Sequence, residues 1–151
     1  MIGVGNETCG DDAAGILVAR SVEQELIPAV ACLVAPADAL SLLGAWDKVP
    51  LVVVVDAARS GAAPGTIHAF DARLAPLPAL LRPISSHGYG ILEVIELARV
   101  LGRLPPRLLV FGIEGTRFAP GDPVTAPVAA AVLAVTRRVA LECAIGTRLA
   151  E

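Results

Sequence analysis

Three features of the chain predict an α/β fold with a largely parallel sheet and helices on both faces. Apolar runs of strand length alternate with segments of helical period, and Gly- or Pro-containing breaks separate them. Leu51-Val52-Val53-Val54-Val55 is an unbroken apolar run without polar alternation, as in a central parallel strand covered on both faces. Strands separated by helices imply right-handed βαβ crossovers. With 151 residues, 55% of them hydrophobic, one sizeable core can be buried, so a single domain over 1–151 is expected. Aromatic residues make up only 3%, which makes that core aliphatic.

Taken in order, Met1 to Gly5 reads as a very short strand. Ala13 to Ile27 reads as a helix with Ala14, Val18, Val22 and Leu26 on one face, ended by Pro28. A second strand is expected over Val30 to Ala35, then a short helix to about Trp46 that Asp38 can cap, with Trp46 a core or rim anchor. The central strand runs from Leu51 to Asp56. Thr66 to Phe70 reads as a short extra strand, antiparallel at an edge, on which His68 has a structural role. Asp71 to Pro83 is a proline-broken connection with the length of a lid or a substrate-contacting loop. Ile91 to Leu101 is strongly amphipathic, with Ile91, Val94, Ile95, Ala98 and Leu101 on its apolar side and Ser85 or Ser86 placed to cap it. Arg107 to Glu114 is the last core strand, and a helix from Ala126 to Cys143 buries Val128, Val132, Val135 and Val139.

A net charge of −3 with no basic block argues against a nucleic-acid partner. The chain begins without a basic segment ahead of an apolar one, so no secretory signal is read, and no apolar run reaches membrane-spanning length. Cys9, Cys32 and Cys143 are an odd number without CxxC spacing, which disfavours a disulfide framework or structural zinc. A soluble, cytoplasmic protein without membrane insertion is the expectation.

The segment Gly3-Val4-Gly5-Asn6-Glu7-Thr8-Cys9-Gly10-Asp11-Asp12 turns out of the first strand and into the first helix. The third glycine of a dinucleotide-binding GxGxxG would fall at Thr8, no GKS or GKT follows, and two acids would repel phosphate. Asp11 and Asp12 suit either helix capping or presentation of a carboxylate to a ligand. Asp56 carries the same two readings: a cap for the following turn, or an acid at the carboxyl end of a central parallel strand, where open α/β sheets bind ligands. His87 precedes a helix start, where an imidazole tends to be neutral, the form that binds metals. In a parallel sheet the loops after the first and central strands share one edge, and the start of the Ile91 helix reaches it. Asp12, Asp56 and His87 can therefore converge as a three-ligand metal site with open positions.

Four separated motifs then match one family in order. They are Gly3-Val4-Gly5-Asn6 with Asp11-Asp12 and Gly15; Val54-Val55-Asp56 with Pro64-Gly65-Thr66; Ser85-Ser86-His87 with Gly90; and Gly112-Ile113-Glu114. On these the chain resembles the maturation endopeptidases of nickel–iron hydrogenases, over nearly its whole length. The resemblance implies a three-layer α/β/α fold with a mostly parallel twisted sheet, phosphorylase/hydrolase-like in architecture. It implies removal of a C-terminal peptide from the hydrogenase large-subunit precursor after nickel insertion. The catalytic and metal-contacting positions fall on Asp12, Asp56 and His87. The metal is implied to be the substrate's own nickel, with no organic cofactor. A metal-polarised carbonyl or an activated water would then allow hydrolysis. Cys9, near this site, reads as a small loop residue and not as a nucleophile.

The chain departs from the family pattern at two places. Only Met1 and Ile2 precede the first glycine, where family members have several apolar residues, so the first strand is short or the true start lies upstream. Ala35-Pro36-Ala37-Asp38 stands where a DGGT-like turn is usual. Two other readings compete: a non-cleaving, metal-dependent recognition module for the large subunit, and a peptidase or amidase with a resident metal.

Overall fold

The computed structural model describes residues 1–25, 30–34, 39–46, 48–78 and 90–148. Strands β1 (Ile2–Gly3), β2 (Leu33–Val34), β3 (Leu51–Ala58), β4 (Ile67–Asp71) and β5 (Arg107–Glu114) form one sheet in the order β2-β1-β3-β5-β4. The first three and β5 are mutually parallel, and β4 closes one edge antiparallel to β5, with His68 opposite Gly112. Helices α1 (Ala14–Gln24), α2 (Ile91–Val100) and α3 (Ala126–Arg148) cover the two faces. The α/β/α layering and the antiparallel edge strand agree with the sequence pattern.

Alternation along β3 divides its apolar run between two cores. Val52, Val54 and Ala58 pack with Ile91, Val94, Ile95 and Ala98 of α2, and with Leu42 and Trp46 around the 3₁₀ segment Ala39–Gly44. Val53 and Val55 join Phe111 and Ile113 of β5 against Ala14, Val18 and Val22 of α1 and Val128, Val132, Val135 and Val139 of α3. Each fully buried aliphatic side chain contributes about 1.5–3 kcal/mol. An unbroken valine run is thus the natural centre of a sheet that must satisfy both layers.

Several boundaries differ from the sequence reading. β3 continues past Asp56 because Ala57 and Ala58 pair with Ile113 and Glu114. β2 begins at Leu33, later than the expected Val30, where it meets the two residues of β1, and the expected end at Ala35 lies outside the described residues. The first turn before α1, Gly10–Ala13, is 3₁₀, and α3 runs on from Cys143 to Arg148. The residue preceding α2 is Gly90, in extended conformation and without a side-chain cap, in place of the expected serine. Asp38, Ser85, Ser86 and His87 lie outside the described residues. Among the described residues no helix is long and apolar enough to cross a membrane.

Glycine at position 15 lets α1 sit directly on the sheet. A Cβ there would fall 2.2 Å from the Val55 carbonyl oxygen, 2.4 Å from that of Val4 and 2.7 Å from the Val4 nitrogen. All three are backbone atoms, of β3 and of the residue just after β1, so no rotamer change relieves the clash. Gly15→Ala is accordingly expected to cost about 3 kcal/mol or more, lowering Tm by about 6–12 °C. Gly44→Ala, where an added Cβ meets nothing within 4 Å, is expected to leave Tm nearly unchanged. Parallel thermal melts of the two variants check this, and equal shifts would contradict it.

Candidate active site

The chain leaves β1 toward β2 on one side and returns to β3 on the other. The carboxyl ends of β1 and β3 therefore flank the topological switch point, the usual crevice for ligands in open α/β sheets. The β1–α1 loop is locked to this edge from its start, because the Val4 N–H donates to the Val55 carbonyl at 2.9 Å. It then folds back on itself. The Asn6 side-chain carbonyl accepts the Thr8 N–H at 3.0 Å and the Thr8 hydroxyl at 2.8 Å. Gly5, at φ +134°, lies so close to the Asp12 carbonyl that a Cβ would be 1.8 Å from it. The result is a compact loop that delivers two adjacent aspartates to different surroundings.

Asp11 turns inward. It is fully buried; its Oδ1 accepts the Thr125 N–H at 2.7 Å, and its Oδ2 accepts those of Thr116 and Arg117 at 2.8 and 3.1 Å. Burial alone would raise its pKa, but these three backbone donors overcome that and hold the carboxyl below its ordinary range. Its own N–H donates to the Arg117 carbonyl at 2.8 Å. Of the two sequence roles, Asp11 thus takes a structural one, tying the β1–α1 loop to the β5–α3 loop.

Asp12 is half-buried, and burial pushes its carboxyl up, against a partly offsetting hydrogen bond from the Asn6 backbone. Asp56 shares the α2 face of β3 with Val52, Val54 and Ala58. Its side chain keeps some accessible surface. Its pKa is pushed up to about 7, first by burial, against the Ala57 N–H bonded to Oδ1 at 2.8 Å, and further by the neighbouring Asp12 charge. The structure thus brings Asp12 and Asp56 together, and neither forms an ion pair among the described residues. Two neighbouring carboxylates are an oxygen donor set whose mutual repulsion a divalent cation would relieve. No third His, Cys, Asp or Glu joins them among the described residues; His87, the expected third ligand, lies outside those residues.

Glu114 is a site-edge residue that sequence reasoning used only as part of a motif. Its side chain is 1% exposed. Oε1 accepts the N–H groups of Ser60 and Gly61 at 2.7 and 2.8 Å, and Oε2 accepts the Ser60 hydroxyl at 2.9 Å and lies 3.1 Å from His68 Nε2. Burial would raise its pKa, but the Ser60 hydroxyl, the Gly61 N–H, His68 and the Ser60 N–H together hold it down. The signal was present, since an acid ending a buried parallel strand raises the same question at Glu114 as at Asp56. His68 turns to this neighbour, in keeping with a structural role. Cys9 Sγ lies 3.7 Å from the Thr8 hydroxyl.

An open α/β protein with paired acids at its switch point is the class that fold and site define. The chain belongs to the hydrogenase maturation protease family, whose model (HycI: Hydrogenase maturation protease) matches residues 17–142. It is 27% identical over 116 residues to the hydrogenase expression/formation protein HupD of Thiocapsa roseopersicina, across 76% of this chain and 52% of that protein. The chain thus spans about half of that relative's length. It is 29% identical over 136 residues to the hydrogenase 2 maturation protease of Escherichia coli strain K12, covering 87% of this chain and 82% of the relative. Among solved structures it is similar to the hydrogenase maturating endopeptidase HybD from E. coli, with a TM-score of 0.74 and 26% identity over 91% of this chain and 86% of that one.

Two outcomes follow from the contrasting aspartates. Asp11→Asn sets an NH₂ group against at least one backbone donor and is expected to cost about 2–4 kcal/mol, whereas Asp12→Asn should be neutral or slightly stabilising. Urea unfolding of the pair checks this, and equal destabilisation would contradict the assignment. Asp56 has a folded pKa of about 7 against an unfolded 3.8. The folded state therefore binds its proton more tightly, and the stability from that proton, full below 3.8, is lost as pH rises through 7. The loss is on the order of a few kcal/mol. In chelator-treated protein Asp56→Asn should remove this component and be more stable than the parent at pH 8, as read by Tm across pH 5–8.

Proposed function

We propose that this protein is an endopeptidase that removes a C-terminal peptide from the nickel-loaded large-subunit precursor of a nickel–iron hydrogenase. The observation that carries the reading is the proximity of Asp12 and Asp56 at the switch point, within a chain of the hydrogenase maturation protease family. In this reading nickel belongs to the precursor, and Asp12, Asp56 and His87 complete its coordination sphere. His87 enters through its motif just ahead of α2, the helix that packs on the same face of β3 as Asp56. Oxygen and imidazole donors with open positions suit a divalent ion that already holds ligands from the substrate.

The chain's own residues recognise and position. Asp12 and Asp56 give two points of attachment at the sheet edge, so docking fixes the scissile bond relative to that edge. Bound nickel would supply Lewis acidity to a carbonyl or a water. Asp56 must shed its proton to become a ligand, so docking weakens as pH falls below about 7.

Mass spectrometry of precursor incubated with this protein, with and without nickel loading, tests the proposal. Loss of a C-terminal peptide from the loaded precursor alone is expected. His87→Ala and Asp56→Ala should abolish that loss while leaving the thermal transition cooperative. A loaded precursor of unchanged mass after binding would favour the non-cleaving recognition module instead.

A further inference from the structure

Besides Asp12 and Asp56, the carboxyl edge of the sheet carries a cationic rim. Arg59 is the first residue beyond β3 and Arg117 lies in the loop beyond β5; both are exposed. Among the described residues neither guanidinium forms an ion pair or hydrogen bond. In a chain with a net charge of −3, these are two cationic groups without ion-pair partners among the described residues, set at an edge otherwise rich in carboxylates.

Both are mounted on backbone that a buried carboxylate holds in place. Glu114 takes the N–H groups of Ser60 and Gly61 and the Ser60 hydroxyl, pinning the turn immediately after Arg59. Asp11 takes the N–H groups of Thr116 and Arg117. The loops also meet, because the Arg59 guanidinium carbon lies 4.5 Å from the centroid of the Phe118 ring. Stacking on an aromatic face restricts the side chain while leaving its edge donors free, the state in which arginine takes a carboxylate through two parallel hydrogen bonds. An exposed arginine that served only solubility would need none of this support.

We propose that Arg59, with Arg117 beside it, is a specificity-determining contact for an acidic residue of the precursor close to the cleavage point, and that Glu114 is the positioning residue for Arg59. This rests on the endopeptidase reading for where the precursor docks. The precursor would lie with its metal centre over the aspartates and an acidic side chain on the rim, so two charges of opposite sign set its register.

The test uses the full chain and nickel-loaded precursor, measuring binding by calorimetry separately from cleavage. Arg59→Ala is expected to weaken Kd and raise KM about tenfold with kcat within about twofold, and to flatten the salt dependence of binding. Arg59→Lys, which keeps charge without the planar fork, should recover only part. Glu114→Ala should reproduce the KM effect, and Glu114→Gln, able to accept from the same backbone N–H groups, should restore it. Changing each precursor acid near the cleavage point to its amide should reveal one position whose effect disappears in the Arg59→Ala background. Unchanged Kd in Arg59→Ala, or full additivity at every acid, would overturn the proposal. Binding that depends on Arg59 but is followed by no cleavage would count against the peptidase reading alone, leaving the contact supported.

Discussion

The buried carboxylate of Asp11 is the constraint on which the functional edge depends. It reaches from the loop after the first strand to the loop after the last one and satisfies three backbone N–H groups there. Without it those partly buried donors would lose their acceptor, and the two loops would have only the Asp11–Arg117 and Gly121–Thr8 backbone hydrogen bonds described between them. Because Asp11 is anchored, Asp12 has little freedom in where it appears. A flexible carboxylate on a glycine-rich loop would pay ordering entropy at each encounter with a ligand; here that entropy is spent in folding.

Four acids at this edge sort into two kinds by the donors around them. Asp11 and Glu114 are surrounded by N–H and O–H groups and are held ionised. Asp12 and Asp56 have few donors and are pushed toward the protonated form. The first kind lends stability above the unfolded carboxyl pKa and withdraws it as pH falls through the lower folded value. The second kind does the reverse, weakening the fold as pH rises. The two acids that maintain the scaffold are therefore distinguishable from the two proposed to meet the precursor by the direction of their shifts, although all four are buried to some degree.

How legible the chain was depended on how much of each element's stability is local. The reading of β5 matches its observed ends, Arg107 and Glu114, because the run Leu108 to Ile113 is bounded closely by Pro106 and Gly115. β3 was cut short because Ala57 and Ala58 have no strand preference of their own and extend it only by pairing with β5. β2 was overread at its start, since it begins only where it meets the two residues of β1. At the site, the paired aspartates and Asp56 were visible as acids beside glycines and at a strand end. Which of Asp11 and Asp12 faces inward was not, since it depends on donors more than 100 residues away. Glu114 was similarly obscured, because its four contacts come from a loop and an antiparallel strand that sequence periodicity does not bring together.

The division of the core into two layers has an optical corollary. Trp46 is the chain's only tryptophan, and it is buried in the layer formed with α2. The opposite layer, between the sheet and α1 and α3, has Phe111 as its buried aromatic residue among those described. Indole emission is therefore a one-sided gauge, sensitive to the α2 layer and nearly blind to the other. Loosening of α1 or α3, including the switch-point loop that feeds α1, would leave the fluorescence spectrum almost native while helical circular dichroism declined.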